Sequence, residues 1–209
     1  MPSSRQSTVV LCFALCSVVF ASLARAQDLG PEELVQNITD QVMTAVRADK
    51  ELAAGDREKA LRLAEEKILP HVDFEEATRL ALSRAWSQAS AEQKHKLVAE
   101  FRATLLRTYT NAMSTYSGSQ AKYLPPRGKA QAAEATVRYQ FSREGSRPLQ
   151  VAYELRRTGA GWKIYDISVE GISLVLTYRT EFDGIIKQDG IEGLIRRLAQ
   201  RNAPTKHAL

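Results

Sequence analysis

The hydrophobic period of this chain changes at Gly118, and that change constrains the fold more than any other feature. Before it, apolar residues recur every three or four positions. After it, they alternate. In "ATVRYQF", Val137, Tyr139 and Phe141 fall on one face and Thr136, Arg138 and Gln140 on the other. "LQVAYEL" repeats the pattern with Leu149, Val151, Tyr153 and Leu155. The turns between the stretches, "SREGSRP" and "TGAG", are short and rich in Gly and Pro. Connections this short join antiparallel neighbours, because a parallel crossover needs about a dozen residues or more. The next stretch, "WKIYDISV", is apolar on both faces: Trp162 and Ile164 on one, Tyr165, Ile167 and Val169 on the other. A bulge, or helices on both sides, accounts for that. "AKYL" before Pro125 is a candidate further strand. The fold expected is therefore α+β, a curved antiparallel sheet wrapped by helices.

The helices before Gly118 carry readable caps. Pro31 opens the first, with Leu34, Ile38, Val42 and Val46 on one face. Asp56 caps a second, with Leu61, Ala64 and Ile68 inward, and Pro70 ends it. Asp73 caps a third, and Glu76 completes a capping-box-like pair. Ser90 and Gln93 repeat that pattern before a long helix. Its stripe is Leu97, Phe101, Leu105, Tyr109 and Met113, with Val98, Ala112 and Tyr116 beside it. Beyond the strands, Leu174, Val175, Tyr178, Phe182, Ile185 and Ile186 share a helical face. Gly190 punctuates it, and "IEGLIRRLAQ" follows. Arg179 and Asp183 are spaced to pair.

The first residues read as an export signal. One cation, Arg5, precedes an apolar run from Val9 to Phe20, and small residues stand at Ala24 and Ala26. The run falls short of the roughly 20 residues that span a bilayer. The expected organisation is a cleaved signal over 1–26, a single domain over 27–202 and a frayed tail over 203–209. Cys12 and Cys16 both lie inside the signal, and neither follows a small residue as a lipoprotein cysteine would. A soluble exported protein without thiol chemistry or cysteine-bound metal is expected. Loss of Arg5 and Arg25 leaves 27 basic against 24 acidic side chains, too weak a field to suggest nucleic acid. The basic cluster Arg196, Arg197 and Arg201 suits either a solvated helix face or an anionic lipid surface.

Motifs for catalysis are missing from the sequence. His71, His95 and His207 show no metal-binding spacing, "GISLV" around Ser173 lacks the second glycine of a nucleophile elbow, and no phosphate-cradling glycine loop occurs. The stretch YRTEF, Tyr178 to Phe182, places a phenol, a guanidinium and a carboxylate close together. On a helix, however, Tyr178 and Phe182 share the apolar stripe while Arg179 and Glu181 lie off it.

Two long segments resemble the MlaC family, the toluene-tolerance or auxiliary transport proteins. They are "ILPHVDFEEATRLALSRAWSQASAEQKHKLVAEFRATLLRTYTNAM" and "WKIYDISVEGISLVLTYRTEF". The shared positions include Pro70, Asp73, Phe74, Trp86, Gln93, Phe101, Leu105, Leu106, Thr108 and Tyr109. In the second segment they include Trp162, Asp166, Glu170, Gly171, Ser173, Leu174, Tyr178, Arg179 and Phe182. The resemblance implies a nuclear transport factor 2-like cone joined to a helical lobe. It also implies a periplasmic phospholipid carrier that holds acyl chains in an apolar pocket. Such a carrier works as a monomer without a cofactor other than its lipid cargo. Its implied partners are an outer-membrane lipoprotein–porin complex and an inner-membrane ABC transporter with a mammalian-cell-entry subunit. It maintains outer-membrane lipid asymmetry. Close relatives are associated with hopanoid loci, so a polycyclic lipid is an alternative cargo.

Alternation and cone geometry, rather than the resemblance, supply the candidate lipid-lining residues. From the helices these are Phe74, Trp86, Phe101, Leu105, Tyr109, Leu174, Val175, Tyr178 and Phe182. From the strands they are Val137, Tyr139, Phe141, Val151, Tyr153, Leu155 and Ile164. Two other readings stand beside the carrier. One is an enzyme in the same cone, with Asp166 and either Tyr165 or Tyr139 as proton-transfer groups. In a regular strand Asp166 and Tyr165 point to opposite faces, which weakens that pair. The other is an adaptor that docks between membrane complexes without cargo.

Overall fold

A computed structural model describes residues 29–110, 115, 118–125 and 133–203, and the structural statements below concern these. The expected signal peptide, the stripe positions Ala112, Met113 and Tyr116, and tail residues 204–209 lie outside them.

The strands form a meander. Strands β1 (Gln120–Leu124), β2 (Glu134–Ser142), β3 (Leu149–Thr158), β4 (Gly161–Val169) and β5 (Ile172–Ser173) lie side by side in chain order, every pair antiparallel. "AKYL" is a strand, as expected. Val137 stands opposite Tyr153, Tyr139 opposite Val151, and Phe141 opposite Leu149, so the apolar alternations of β2 and β3 coincide on one face.

A bulge explains the two-faced apolar pattern of β4. Its register with β3 slips between Glu154–Asp166 and Leu155–Ile164, leaving Tyr165 as the extra residue. Before the bulge, Trp162 and Ile164 face the partners Arg157 and Leu155. After it, Ile167 and Val169 face Tyr153 and Val151. All four therefore join the face that β2 and β3 already present. The neighbouring Val72 bridges Ile164, and the Asp73 amide donates to the Ile164 carbonyl at 2.8 Å, so the bulge is pinned from outside the sheet.

Before the sheet come α1 (Pro31–Ala48), α2 (Lys50–Ala53), α3 (Arg57–Lys67), a 3-10 turn over Leu69–His71, α4 (Phe74–Leu82), α5 (Ala85–Gln88) and α6 (Ala91–Tyr109). After it comes α7 (Leu174–Asn202), bent at Gly190, whose φ of 69° interrupts the helix where the sequence places a break. The caps are those expected: Asp56, Asp73 and Ser90 each accept an amide of the first turn. Gln93 also reaches back to the Ser90 amide, closing a full capping box. Glu76 does not do so for Asp73. The Asp73 amide is spent on Ile164, and Glu76 turns to Arg79 and Arg156 instead. The inward face of α3 is Ala60, Leu63 and Ala64, one step from the expected set, with Leu61 only half-buried.

Two lobes result. In the sheet lobe α1 lays Leu34, Val35 and Ile38 on Val137, Tyr139, Leu155, Trp162 and Ile164. In the helical lobe α4, α5, α6 and α7 bury Ala81, Leu97, Phe101, Tyr178, Phe182 and Leu194 among themselves. A smaller cluster of Val46, Leu52, Ala60 and Leu63 closes the corner between α1, α2 and α3.

Candidate functional site: an apolar cavity between the lobes

The two cores do not meet completely. Between them lies a cavity of about 550 Å³, within the range of about 300–1,000 Å³ usual for ligand sites. The sheet contributes Phe141, Leu149, Val151, Tyr153, Ile164, Tyr165, Ile167 and Val169. α1 adds Val35, Ile38, Thr39, Val42 and Met43. The stretch from α3 into α4 adds Ala64, Ile68, Leu69, Val72, Phe74 and Ala77. The end of α6 contributes Phe101, Leu105, Leu106, Tyr109 and Thr110, and the start of α7 Leu174 and Val175. Asp166 is the one lining residue with an ionisable acidic or basic side chain among the described residues, tyrosines aside.

Ten candidate residues line this cavity: Phe74, Phe101, Leu105, Tyr109, Phe141, Val151, Tyr153, Ile164, Leu174 and Val175. Six others lie elsewhere. Tyr178 and Phe182 are buried in the helical core, and Trp86 packs at the edge of that core with the Lys94 ammonium 5.3 Å from its ring centre. Val137, Tyr139 and Leu155 are on the apolar face of the sheet, but α1 covers them. The cause is geometric. Alternation identifies the inward face of a strand, not how far a helix reaches across it. The wall supplied by α1 and by Ile68 to Val72 was not among the candidates. The Leu34–Ile38–Val42 stripe was its only sequence signal, and a generic amphipathic helix shows the same stripe.

The polar groups of the wall are mostly committed to the fold. Asp166 accepts from the Ser173 hydroxyl at 2.5 Å, from the Val175 amide at 3.1 Å and from its own neighbour's amide, Ile167, at 2.8 Å. Ser173 in turn caps α7, accepting from the Leu176 amide at 3.0 Å. The turn before it needs left-handed backbone at Glu170 (φ 51°) and Gly171 (φ 81°), a conformation glycine adopts freely. Glu170 then accepts from the Gln150 amide at 2.6 Å. The shared pattern of Asp166, Glu170, Gly171 and Ser173 is thus a latch that turns β4 through β5 into α7. The bulge also corrects an expectation: Tyr165 and Asp166 both reach the cavity wall, because the strand is not regular there.

At the far end Tyr109 is 38 % exposed, and its hydroxyl lies near that of Tyr178. Burial, then Tyr178, pushes the Tyr109 phenol up to about 12. Tyr178 does not line the cavity itself and sits behind two residues that do, Tyr109 and Phe101. Arg179 does not pair with Asp183. Its Nε donates to the Leu80 carbonyl at 2.9 Å, fastening α7 to α4, while Asp183 pairs with Lys187. Among the described residues no cluster of His, Cys, Asp and Glu is arranged to hold a metal ion, and no helix is long and apolar enough to cross a membrane.

Comparison with known proteins follows this geometry. The sequence model of the MlaC protein family matches residues 36–200. The chain belongs to the MlaC family. Among its relatives, the intermembrane phospholipid transport system binding protein MlaC of Haemophilus influenzae is 23% identical over 194 residues, 91% of this chain and 90% of that one. The toluene tolerance protein ttg2D of Pseudomonas putida is 22% identical over 161 residues, 77% of this chain and 74% of that one. Among solved structures, a phospholipid-binding protein from Ralstonia solanacearum, determined in complex with a phospholipid, superposes with a TM-score of 0.76. It is 32% identical, and the match covers 83% of this chain and 97% of that one.

Proposed function

We propose that this MlaC-family chain is a periplasmic phospholipid carrier whose cavity between the lobes holds acyl chains. The observation that carries this reading is the cavity itself: about 550 Å³ enclosed almost wholly by apolar side chains contributed by both lobes. The relatives named as phospholipid-transport and phospholipid-binding proteins support the cargo class. The physical need is large. Two chains of about 15 methylenes carry roughly 24 kcal/mol of apolar transfer free energy, at ~0.8 kcal/mol per methylene. Unassisted passage through water is accordingly very slow, and a pocket offering comparable burial removes most of that barrier. The proposed route runs between an outer-membrane complex and an inner-membrane ABC transporter, with the carrier soluble in between after its signal is removed.

Binding and release require no bond to be made or broken. The enzyme reading loses support because Asp166 is occupied by three donors that orient it toward the α7 junction. The adaptor reading leaves the cavity without a purpose. Native mass spectrometry of protein isolated from its own cell envelope, followed by lipid extraction, tests the proposal. One or two diacyl phospholipids should accompany the protein. Protein that is empty, and stays empty after mixing with phospholipid vesicles, refutes it; a polycyclic lipid in the extract changes the cargo class.

A further inference from the structure

Tyr153 stands at the middle of β3, between Val137 on one neighbouring strand and Ile167 on the other. It is surrounded by protein, and burial holds its phenol well above the ordinary range. Yet it is only half-buried by surface, because the surface it keeps faces the cavity it lines. Its ring meets Tyr139 edge-on at 6.3 Å, and its hydroxyl has no hydrogen-bond partner among the described residues. Most other polar groups of the wall are engaged. Asp166 accepts three donors, Thr110 donates to the Leu106 carbonyl, and Tyr109 stands at the exposed end of the cavity beside Tyr178. The Tyr165 phenol lies in the field of Glu134, Glu154 and Asp166. Thr39 also has a hydroxyl without a partner among the described residues, but it stands on α1 rather than on the sheet.

The Tyr153 hydroxyl faces the cavity rather than being sealed in protein, but cargo packed against it desolvates it, which is costly unless the cargo itself supplies an acceptor. An ordered water serves poorly, since it needs two to four polar partners and the strand neighbours of Tyr153 are apolar. An anionic phosphate serves poorly too, since the described residues of the wall include no Lys or Arg to balance it. An uncharged carbonyl oxygen fits: it accepts one bond and brings no donor of its own.

We propose that the Tyr153 hydroxyl donates to an acyl-ester carbonyl of the cargo, so that the cavity distinguishes ester-linked from ether-linked lipid chains. This inference rests on the phospholipid-carrier reading and adds to it a linkage that the cargo must carry. A hydrocarbon ring system without an oxygen at that depth does not satisfy Tyr153.

The test offers the protein vesicles holding equal amounts of diacyl and dialkyl phosphatidylethanolamine of one chain length, and reads occupancy by native mass spectrometry. The wild type should favour the diacyl lipid about fivefold, the scale of one net hydrogen bond. Tyr153→Phe keeps the ring and should take up both lipids at a ratio near one. Tyr123→Phe, which removes a phenol outside the cavity that donates to Glu32, should keep the wild-type preference. A wild type without preference, a Tyr153→Phe protein that retains it, or a Tyr123→Phe protein that loses it overturns the assignment. Uptake of neither lipid by the wild type sinks the carrier reading and this inference together, whereas uptake without preference sinks only the inference.

Discussion

The molecule contains two aromatic clusters that its lobes use differently. In the helical lobe Phe101 meets Tyr178 and Phe182 edge-on, with ring centres at 4.9 and 5.2 Å, and Tyr178 lies 5.6 Å from Phe182. In the sheet lobe Tyr139 has Tyr123, Phe141 and Tyr153 at 6.0, 6.2 and 6.3 Å, spread along one face. The first cluster is a closed knot, and the second is partly a wall. The helical lobe packs most of its apolar groups internally and meets the sheet mainly along β4. α1 covers Val137, Tyr139 and Leu155 but leaves Phe141, Val151, Tyr153 and Val169 facing the gap. Phe101 belongs to both regions, in the helical core and on the cavity wall. An empty space therefore persists where two complete cores adjoin, rather than where one core is underfilled.

If that division is real, stability and loading should respond to different residues. The largest stability effect is expected from Phe182→Ala, which removes a ring that is 1% exposed from the closed knot. Denaturant unfolding should show a loss of about 3–5 kcal/mol, while the folded protein keeps its lipid stoichiometry. Val151→Glu should do the reverse. It places a carboxyl group on the apolar cavity wall, where it costs several kcal/mol unless it is hydrated or stays protonated, and should abolish lipid loading in the protein that folds. An empty Phe182→Ala protein, or a loaded Val151→Glu protein, would break the comparison.

Much of the architecture was legible because it depends on local chemistry. The meander followed from alternation and short turns, and the caps Asp56, Asp73 and Ser90 from their spacing to the next polar residue. The bulge was foreseeable as a need, since β4 is apolar on both faces, but its position was not. Tyr165 is the extra residue because Val72 and Asp73, more than 90 positions earlier, pair with Ile164 there. The site was half legible for the same reason. Val151 and Tyr153 announce an inward face, but whether Val137 or Val151 meets the cavity depends on where α1 crosses the sheet. Tyr178 illustrates the converse. Its place on the apolar stripe of the last helix suggested a pocket wall, whereas the helix turns it into the core behind Tyr109 and Phe101.

The latch between the lobes offers a smaller test. Asp166→Ala leaves the Ser173 hydroxyl and the Val175 and Ile167 amides without their acceptor. A loss of about 2 kcal/mol is expected, with faster hydrogen exchange confined to the first turn of α7. Unchanged exchange there would mean that Ser173 alone holds the junction.

The smallest effect belongs to the ion pair that joins the lobes directly. Glu76 of α4 accepts from Arg156 of β3 at 2.6 Å and from Arg79 Nε at 2.8 Å, and its side chain is 12% exposed. The hydrogen bond from Arg79, then the positive charge of Arg156, holds its carboxyl below the ordinary 4.5 despite burial. A depressed carboxyl stabilises the folded state above its unfolded pKa, and that contribution disappears as pH falls through the folded value. Both guanidinium groups are substantially exposed, so solvent screens the interaction, and Glu76→Gln should cost about 1 kcal/mol at neutral pH. The difference between wild type and variant should vanish on acidification below pH 4.5, the ordinary value for this group. A difference that persists in acid would mean that Glu76 acts by packing between the lobes and not by its charge.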